Sequence, residues 1–295
     1  MAATQAARLR ALLRAEQMVI APGAYDAITA RSIAQAGFPA VYMTGAGTAA
    51  SLGYPDFGLV TMTEMVANAA RIVRAVDLPV IADADTGYGN ELNVVRTVQE
   101  HERAGTAGIH IEDQLSPKKC GHLDDKEIVP REEFAAKIRA AVAARRDPDF
   151  LLIARTDSRA VAGLDEAVAR ARLALEAGAD MVFVEAPQTL EEVAAVPRLV
   201  RGPCLLNIVR GGKTPEINLQ QAQAMGYRLA IVPGLLMKFA LGAYDAALAE
   251  LKRTYVHPVP ALDLSVRQVF NRFGADEWDA LRTRFRDAPA TKVVK

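Results

Sequence analysis

Residues 118–122 read Lys-Lys-Cys-Gly-His, a thiol set between cations and followed by a glycine and an imidazole. Cationic neighbours favour the thiolate, and a glycine-flanked loop is free to move, so Cys120 reads as a reactive thiol. The alternative is a structural cysteine. His122 either tunes that thiol, binds substrate, or stands in solvent. Upstream, the run Ile81-Ala82-Asp83-Ala84-Asp85 ends in two aspartates, and Ile109-His110-Ile111-Glu112 ends in a glutamate. Hard oxygen ligands of this sort suit Mg²⁺ or Mn²⁺, with water and substrate completing the coordination. Taken singly, each acid has the lesser alternative of capping a following helix, an alternative that weakens further for the set. No His/Cys group has zinc spacing, and His110 stands alone before Glu112. Arg155 closes the apolar run Leu151-Leu152-Ile153-Ala154, a position that requires a partner. It either grips a substrate carboxylate or is bridged to Asp157 or Glu185. Gly211-Gly212-Lys213-Thr214 is an anion-binding turn or a plain turn, and its glycine spacing is not that of a P-loop. A metal-binding carboxylate set beside an activated thiol points to an enzyme that makes or stabilises a carbanion on a carboxylic acid.

Those residues need a frame. Eight short apolar runs, Met18–Ala21, Ala40–Thr44, Pro79–Asp83, Gly108–Glu112, Phe150–Arg155, Met181–Glu185, Cys204–Asn207 and Leu229–Val232, alternate with helical patterns. Continuous rather than alternating apolar strands indicate a parallel sheet covered on both faces. Gly37, Gly105 and Gly178 each stand where a left-handed helix C-cap is wanted, just before the next strand. Eight strand–helix units in about 250 residues predict an (α/β)8 TIM barrel. The rival, a doubly wound open sheet, usually carries a glycine-rich phosphate loop after its first strand; here that turn is Pro22-Gly23-Ala24-Tyr25-Asp26. In a barrel the strand C-termini build the active site. The polar residues there are Tyr42, Thr44, Asp83, Asp85, Glu112, Arg155, Asp157, Glu185 and Asn207. The polar segment 115–129 is longer than an ordinary βα connection and is expected to be a mobile active-site loop. The barrel is expected to span residues 1–253, with an N-terminal helix before it. Residues 254–295 form a linker, extra helices that pack against another subunit, and a disordered tail after Asp287.

The 295 residues are 51% hydrophobic and 24% charged, enough apolar material for a core of this size. Net charge is formally zero, which argues against a nucleic-acid or anionic-membrane partner. Two cysteines make no disulfide framework: Cys204 lies in an apolar run and reads as core, and a reducing, cytoplasmic setting fits. No apolar run is long enough to span a bilayer, and the Ala/Arg-rich start lacks a signal peptide's apolar core.

The motifs Asp83-Ala-Asp-Thr-Gly-Tyr-Gly89, Gly108-Ile-His-Ile-Glu-Asp113, Lys118-Lys-Cys-Gly-His122 and Ala154-Arg-Thr-Asp157 together resemble the isocitrate lyase/phosphoenolpyruvate mutase superfamily, over roughly Arg8 to Phe285. The resemblance implies a modified (α/β)8 barrel, often a homotetramer whose C-terminal helices swap between neighbours. It implies Mg²⁺ held directly or through water by Asp56, Asp83, Asp85 and Glu112. Tyr42, Thr44, Gly45 and Ala46 would lie along the α-keto acid end of the substrate, with Arg155, Glu185 and Asn207 contacting substrate and intermediate. The cysteine loop is a feature of the lyase branch, in which a 2-hydroxy dicarboxylate undergoes retro-aldol (Claisen-type) cleavage. Cys120 then delivers a proton, its acidity set by His122 and Lys119. Specificity must come from the distal end of the pocket. There the chain has Leu123, where methylisocitrate lyases usually carry a basic residue, and Gly211–Pro215 reads Gly-Gly-Lys-Thr-Pro. That stretch is more like 2,3-dimethylmalate lyase, the petal-death-type lyases and carboxyphosphonoenolpyruvate phosphonomutase. Phe183, Leu123, Pro233 and Leu235 are expected to make the distal pocket apolar. An alkyl-substituted malate is therefore the favoured substrate, and 2-methylisocitrate the second. Phosphonomutase and oxaloacetate decarboxylase chemistry are the enzymatic alternatives, and a barrel kept as a scaffold is the non-enzymatic one.

Overall fold

The computed structural model describes residues 3–286; the tail expected after Asp287 lies outside them. Eight parallel strands among the described residues close a barrel in sequence order: β1 (Val19–Ala24), β2 (Val41–Met43), β3 (Val80–Asp83), β4 (Gly108–Glu112), β5 (Leu151–Thr156), β6 (Met181–Val184), β7 (Cys204–Asn207) and β8 (Leu229–Val232). Closure is made by β1 against β8, with Val19 opposite Leu229 and Ala21 opposite Ile231. All eight apolar runs are strands, and the (α/β)8 reading holds.

Side chains from alternate strands fill the barrel, as the fold requires. Tyr42 of β2, His110 of β4 and Phe183 of β6 meet there: the Tyr42 and His110 rings stack at 5.7 Å, and Phe183 meets His110 edge-on at 5.7 Å. Leu9, from the helix Gln5–Arg14, joins the same apolar cluster as Val19, Ile153 and Leu229. Outward-facing strand residues such as Ala82, Ile109, Val182 and Leu206 instead pack under the helices. This division explains the continuous apolar runs: both faces of every strand are covered.

The three expected glycine caps have φ of +82° (Gly37), +85° (Gly105) and +101° (Gly178), the left-handed region that turns a helix into the next strand. Two short helices, Gly45–Ser51 and Ser158–Ala162, were not legible in the sequence, being too short to show a helical period.

The chain divides into two compact units, residues 1–239 and 240–295. The split falls inside the helix Leu235–Thr254, whereas the sequence reading ends the barrel at 253. The second unit contains the rest of that helix and the helices Val266–Asn271 and Ala275–Arg286, close to the extra helices expected. It exposes Tyr244, Leu248, Trp278 and Phe285, and carries an apolar groove of about 660 Å³ lined in part by Leu251, Pro258 and Val259. No helix among the described residues is long and apolar enough to cross a membrane.

Candidate active site

The site is assembled at the C-terminal ends of the strands from residues the sequence spreads between positions 42 and 214. Register brings the first of them together. Asp83 ends β3, Glu112 ends β4 opposite Arg155 on β5, and Asp85 lies just beyond β3 with φ +46°. The non-glycine left-handed turn at Asp85 is a strained backbone, of the kind that collects at functional sites.

Of the four expected metal ligands, Asp56 and Asp85 meet at the ammonium of Lys118, which lies 2.6 Å from Asp56 Oδ1 and 2.7 Å from Asp85 Oδ1, while Asp83 and Glu112 lie close by, grouped with His110. The fields of Asp85, Asp83, Glu112 and Asp56 overcome burial and hold Lys118 well above the ordinary lysine range. Burial pushes the Asp85 carboxyl up to about 6 against the pull of Lys118, and it pushes Glu112 up against Arg155. Three buried carboxylates and the half-buried Asp56, crowded around one lysine, demand positive charge. A cation already stands among them as part of a side chain, so the donor set fits a hard divalent ion.

Asp83 is held from three sides. Its Oδ2 accepts from the Gly45 amide at 3.2 Å and from the Tyr42 hydroxyl at 3.4 Å, and its Oδ1 accepts from the Asp85 amide at 3.0 Å. A side chain on Gly45 would collide with Asp83 Oδ2, which accounts for glycine there. Ligand atoms of Asp83, His110 and Glu112 lie within 4.8 Å of one another, a grouping that the sequence reading, with His110 set aside, did not contain. Burial lowers His110 to about 4, so its ring is neutral at pH 7, and its Nε2 lies 2.8 Å from the Tyr42 hydroxyl.

Arg155 shows the bridged one of its two alternatives. Its Nη1 lies 3.0 Å from Glu112 Oε2, while Nε and Nη2 bond the two Asp157 oxygens at 2.9 and 3.2 Å. Its guanidinium covers the Phe183 ring at 5.1 Å. Phe183 therefore belongs to the barrel interior beneath Arg155. It does not line the distal pocket as expected, because its position on β6 points inward, one layer below Glu185.

Residues 115–129 fold back across these groups. The base of the loop is closed by Leu115 N–H to Glu127 O (2.8 Å) and Val129 N–H to Asp113 O (2.9 Å). The Cys120 amide donates to Asp56 O at 3.1 Å, and Lys126 donates to Gly121 O and to Asp157 Oδ1. Gly121 sits against Arg155 and Glu185: an added Cβ would meet Arg155 Nη2 and Glu185 Cγ, each at 2.5 Å. The glycine in Cys-Gly-His is thus required by close approach.

Lys119, expected to help set the acidity of Cys120, sends its ammonium to Asp125 O at 3.3 Å in an exposed setting, while its neighbour Lys118 is buried. Alternation along the extended loop sends the two side chains opposite ways. Burial, reinforced by Asp56 and Glu185, pushes the Cys120 thiol above the ordinary range despite the His122 amide and Arg155, the direction a proton donor needs.

His122 Nε2 lies 2.9 Å from Glu185 Oε1, and Asn207 Nδ2 donates to both Glu185 oxygens at 3.2 and 3.1 Å. Arg155, His122 and Asn207 overcome burial and hold Glu185 ionised, at about 2. Thr44 spends its hydroxyl capping the helix Gly45–Ser51 at the Gly47 amide (3.3 Å), and Ala46 lies in that helix's first turn. Gln114 and Lys126 were missed. Gln114 bonds Glu112 Oε1 (2.9 Å), Lys119 O (2.8 Å) and the Lys119 amide (3.0 Å), tying the loop to the carboxylates. Neither has a sequence signal beyond lying in a long polar loop.

An (α/β)8 barrel with a buried carboxylate cage, an arginine on its rim and a thiol-bearing loop across it defines a class built for metal-assisted chemistry on carboxylic acids. The chain belongs to the phosphoenolpyruvate phosphomutase family, whose pattern it matches over residues 9–252. It is 53% identical over 229 residues to the 2,3-dimethylmalate lyase of Eubacterium barkeri, covering 77% of this chain and 79% of that protein. It is 46% identical over 243 residues to the 2-methylisocitrate lyase of Aeropyrum pernix, covering 82% and 78%. The crystal structure of a 2,3-dimethylmalate lyase, a PEP mutase/isocitrate lyase superfamily member, matches 97% of this chain and 96% of that one, with a TM-score of 0.91 at 41% identity.

Proposed function

We propose that the chain is a Mg²⁺-dependent (or Mn²⁺-dependent) carbon–carbon lyase that splits a 2-hydroxy di- or tricarboxylate into an α-keto acid, such as pyruvate, and a second carboxylic acid. The observation that carries this reading is the Cys120 loop laid across Arg155 and Glu185, with the Cys120 amide bonded to Asp56 O at 3.1 Å. An alkyl-substituted malate is the preferred substrate class and 2-methylisocitrate the second, supported by the likeness to the lyases of those names.

Asp56, Asp83, Asp85 and Glu112 would hold the divalent ion, which supplies Lewis-acid polarisation of the substrate's hydroxyl and adjacent carboxylate oxygens. Removal of the hydroxyl proton sends its electron pair into a new C=O bond as the neighbouring C–C bond breaks. The released pair remains on the departing carbon, spread into its carboxylate. Arg155 faces that charge with a guanidinium already oriented by Asp157, so little reorganisation is needed. The Cys120 S–H gives its proton to the carbon; the proton lost from the hydroxyl passes to solvent, and the thiolate takes one back from solvent, so the cycle closes with no net proton change. The loop, pinned by Lys118 and Lys126, keeps water from the carbanion.

The exposed apolar side chains of the C-terminal unit support assembly through that unit; a homotetramer is what the family resemblance implies. Both cysteines are unpaired, which fits a reducing, cytoplasmic setting.

The test is keto-acid release with Mg²⁺, with and without EDTA, from 2,3-dimethylmalate, other 2-alkylmalates, 2-methylisocitrate and isocitrate, with oxaloacetate as control. EDTA-sensitive release from an alkylmalate is expected. Folded, Mg²⁺-binding protein that cleaves nothing on this panel would overturn the lyase reading and bring phosphonate rearrangement forward.

A further inference from the structure

The turn after β7, Gly211–Thr214, was left open by the sequence as an anion-binding or ordinary turn. In the structure it meets the middle of the Cys120 loop. The Lys213 amide donates to His122 Nδ1 at 3.0 Å, and the Lys213 ammonium reaches Asp124 Oδ1 at 2.5 Å and Leu123 O at 3.5 Å. Gly212 lies against the imidazole so closely that a Cβ would stand 2.6 Å from Nδ1 and 2.9 Å from Cε1. The turn is itself braced: the Gly212 amide closes on Val209 O at 2.8 Å, and Lys238 donates to Arg210 O.

A backbone N–H can be accepted only by an unprotonated ring nitrogen. The Lys213 amide therefore makes Nδ1 of His122 the acceptor and leaves the proton on Nε2, where it points at Glu185 Oε1, 2.9 Å away. Two residues further on, Asp124 is drawn to the same lysine. One residue of the β7 turn thus touches the Cys120 loop twice, through its main chain at His122 and its side chain at Asp124.

We propose that Gly212 and Lys213 form a latch for the Cys120 loop: the Lys213 side chain holds the loop down through Asp124, and the Gly212–Lys213 main chain sets the tautomer and orientation of His122. Both are positioning residues. The significance of a well-placed His122 rests on the proposed lyase mechanism; the latch itself does not, and its test is separable.

Hydrogen exchange of the full-length protein, without substrate, reads the loop directly. Lys213→Met should speed exchange of the amides in 118–126 by about two- to fivefold, the modest size fitting a largely exposed ion pair, while barrel amides are unchanged. The charge-swapped pair Lys213→Asp with Asp124→Lys should restore the slower rate, which general loosening of the turn would not do. Exchange in Lys213→Met identical to the parent, or a charge swap that fails to recover it, overturns the latch. Gly212→Ala tests the second contact. Its backbone is not in the left-handed region, so the added methyl acts through contact, with the His122 ring first and with the Val209 carbonyl oxygen at 2.9 Å. Keto-acid release from 2,3-dimethylmalate should lose about tenfold in kcat with KM little changed, as expected for loss of a group's positioning in the transition state. Unaltered kcat in Gly212→Ala overturns the positioning of His122. If the parent releases no keto acid from any substrate, the lyase reading fails while the exchange result still decides the latch.

Discussion

The Lys118 ammonium lies 2.7 Å from Asp85 Oδ1. With Asp56, which shares the same ammonium at 2.6 Å, it ties the Cys120 loop to the carboxylates, alongside the Gln114 bond to Glu112 and the Cys120 amide bond to Asp56 O. A divalent ion entering the cage meets a resident positive charge. Lys118 therefore opposes metal binding through its field while anchoring the loop over whatever the cage holds.

Replacing that charge should separate the two effects. Lys118→Met is expected to tighten Mg²⁺ binding by about tenfold, the scale of one partly screened unit charge at close range, and to lower turnover because the loop loses its pin. Titration calorimetry with Mg²⁺ reads the first and keto-acid release the second. Weaker Mg²⁺ binding in the variant would mean that Lys118 organises the cage rather than competing for it.

Asp85 carries the strained backbone and one of the cage's innermost oxygens. Asp85→Ala should abolish divalent-metal-dependent activity, and adding EDTA should then change nothing further. Surviving metal dependence would move the ion away from Asp85, toward the Asp83–His110–Glu112 grouping.

Cys120→Ser should fold and bind Mg²⁺ like the parent but lose about 10²–10⁴-fold in turnover, the range for removing a general acid. A serine hydroxyl is a far weaker acid than a thiol, so it supplies bulk without the proton. Near-normal turnover would take the thiol out of the mechanism.

The sequence made the barrel legible because every strand is covered on both faces, leaving unbroken runs such as Leu151–Ala154 between glycine-capped helices. The carboxylate set was legible for a related reason: Asp83, Glu112 and Arg155 interrupt apolar strands at their ends, where charge is costly without a task. Lys118 and Lys119 were not separable, because in a loop no period says which side chain turns inward. Gln114 and Lys126 act by contacts across the loop, which spacing does not encode. Phe183 was misplaced for want of register: only the pairing of β5 with β6, Arg155 opposite Phe183, shows it lying beneath the guanidinium.

Arg155→Lys should cost more than a conservative change suggests. A lysine has no fork with which to hold both Asp157 oxygens and Glu112 together. Turnover is expected to fall about a hundredfold, with the thermal midpoint lowered because Asp157 and Glu112 are left incompletely paired in the interior. Calorimetry alongside keto-acid release checks both; an unchanged midpoint would show that Lys126 alone satisfies Asp157.

His101 offers a test of stability away from the site. It is fully buried in the helix Glu91–Ala104, neither ring nitrogen has a hydrogen-bond partner, and burial lowers it to about 4. The folded state resists a proton that the unfolded chain accepts near 6.5. Below 6.5 the unfolded state binds more protons than the folded one, so stability falls as pH drops from about 6.5 to about 4. The loss amounts to about 3 kcal/mol at pH 4. His101→Leu removes both the titration and an unsatisfied ring N–H, so it should be at least as stable as the parent at pH 7 and lack this part of the acid decline. Urea unfolding of both proteins at pH 7, 6, 5 and 4 measures the difference. Parallel acid declines in parent and variant would place the proton uptake on another group and show that His101 is solvated in the folded chain.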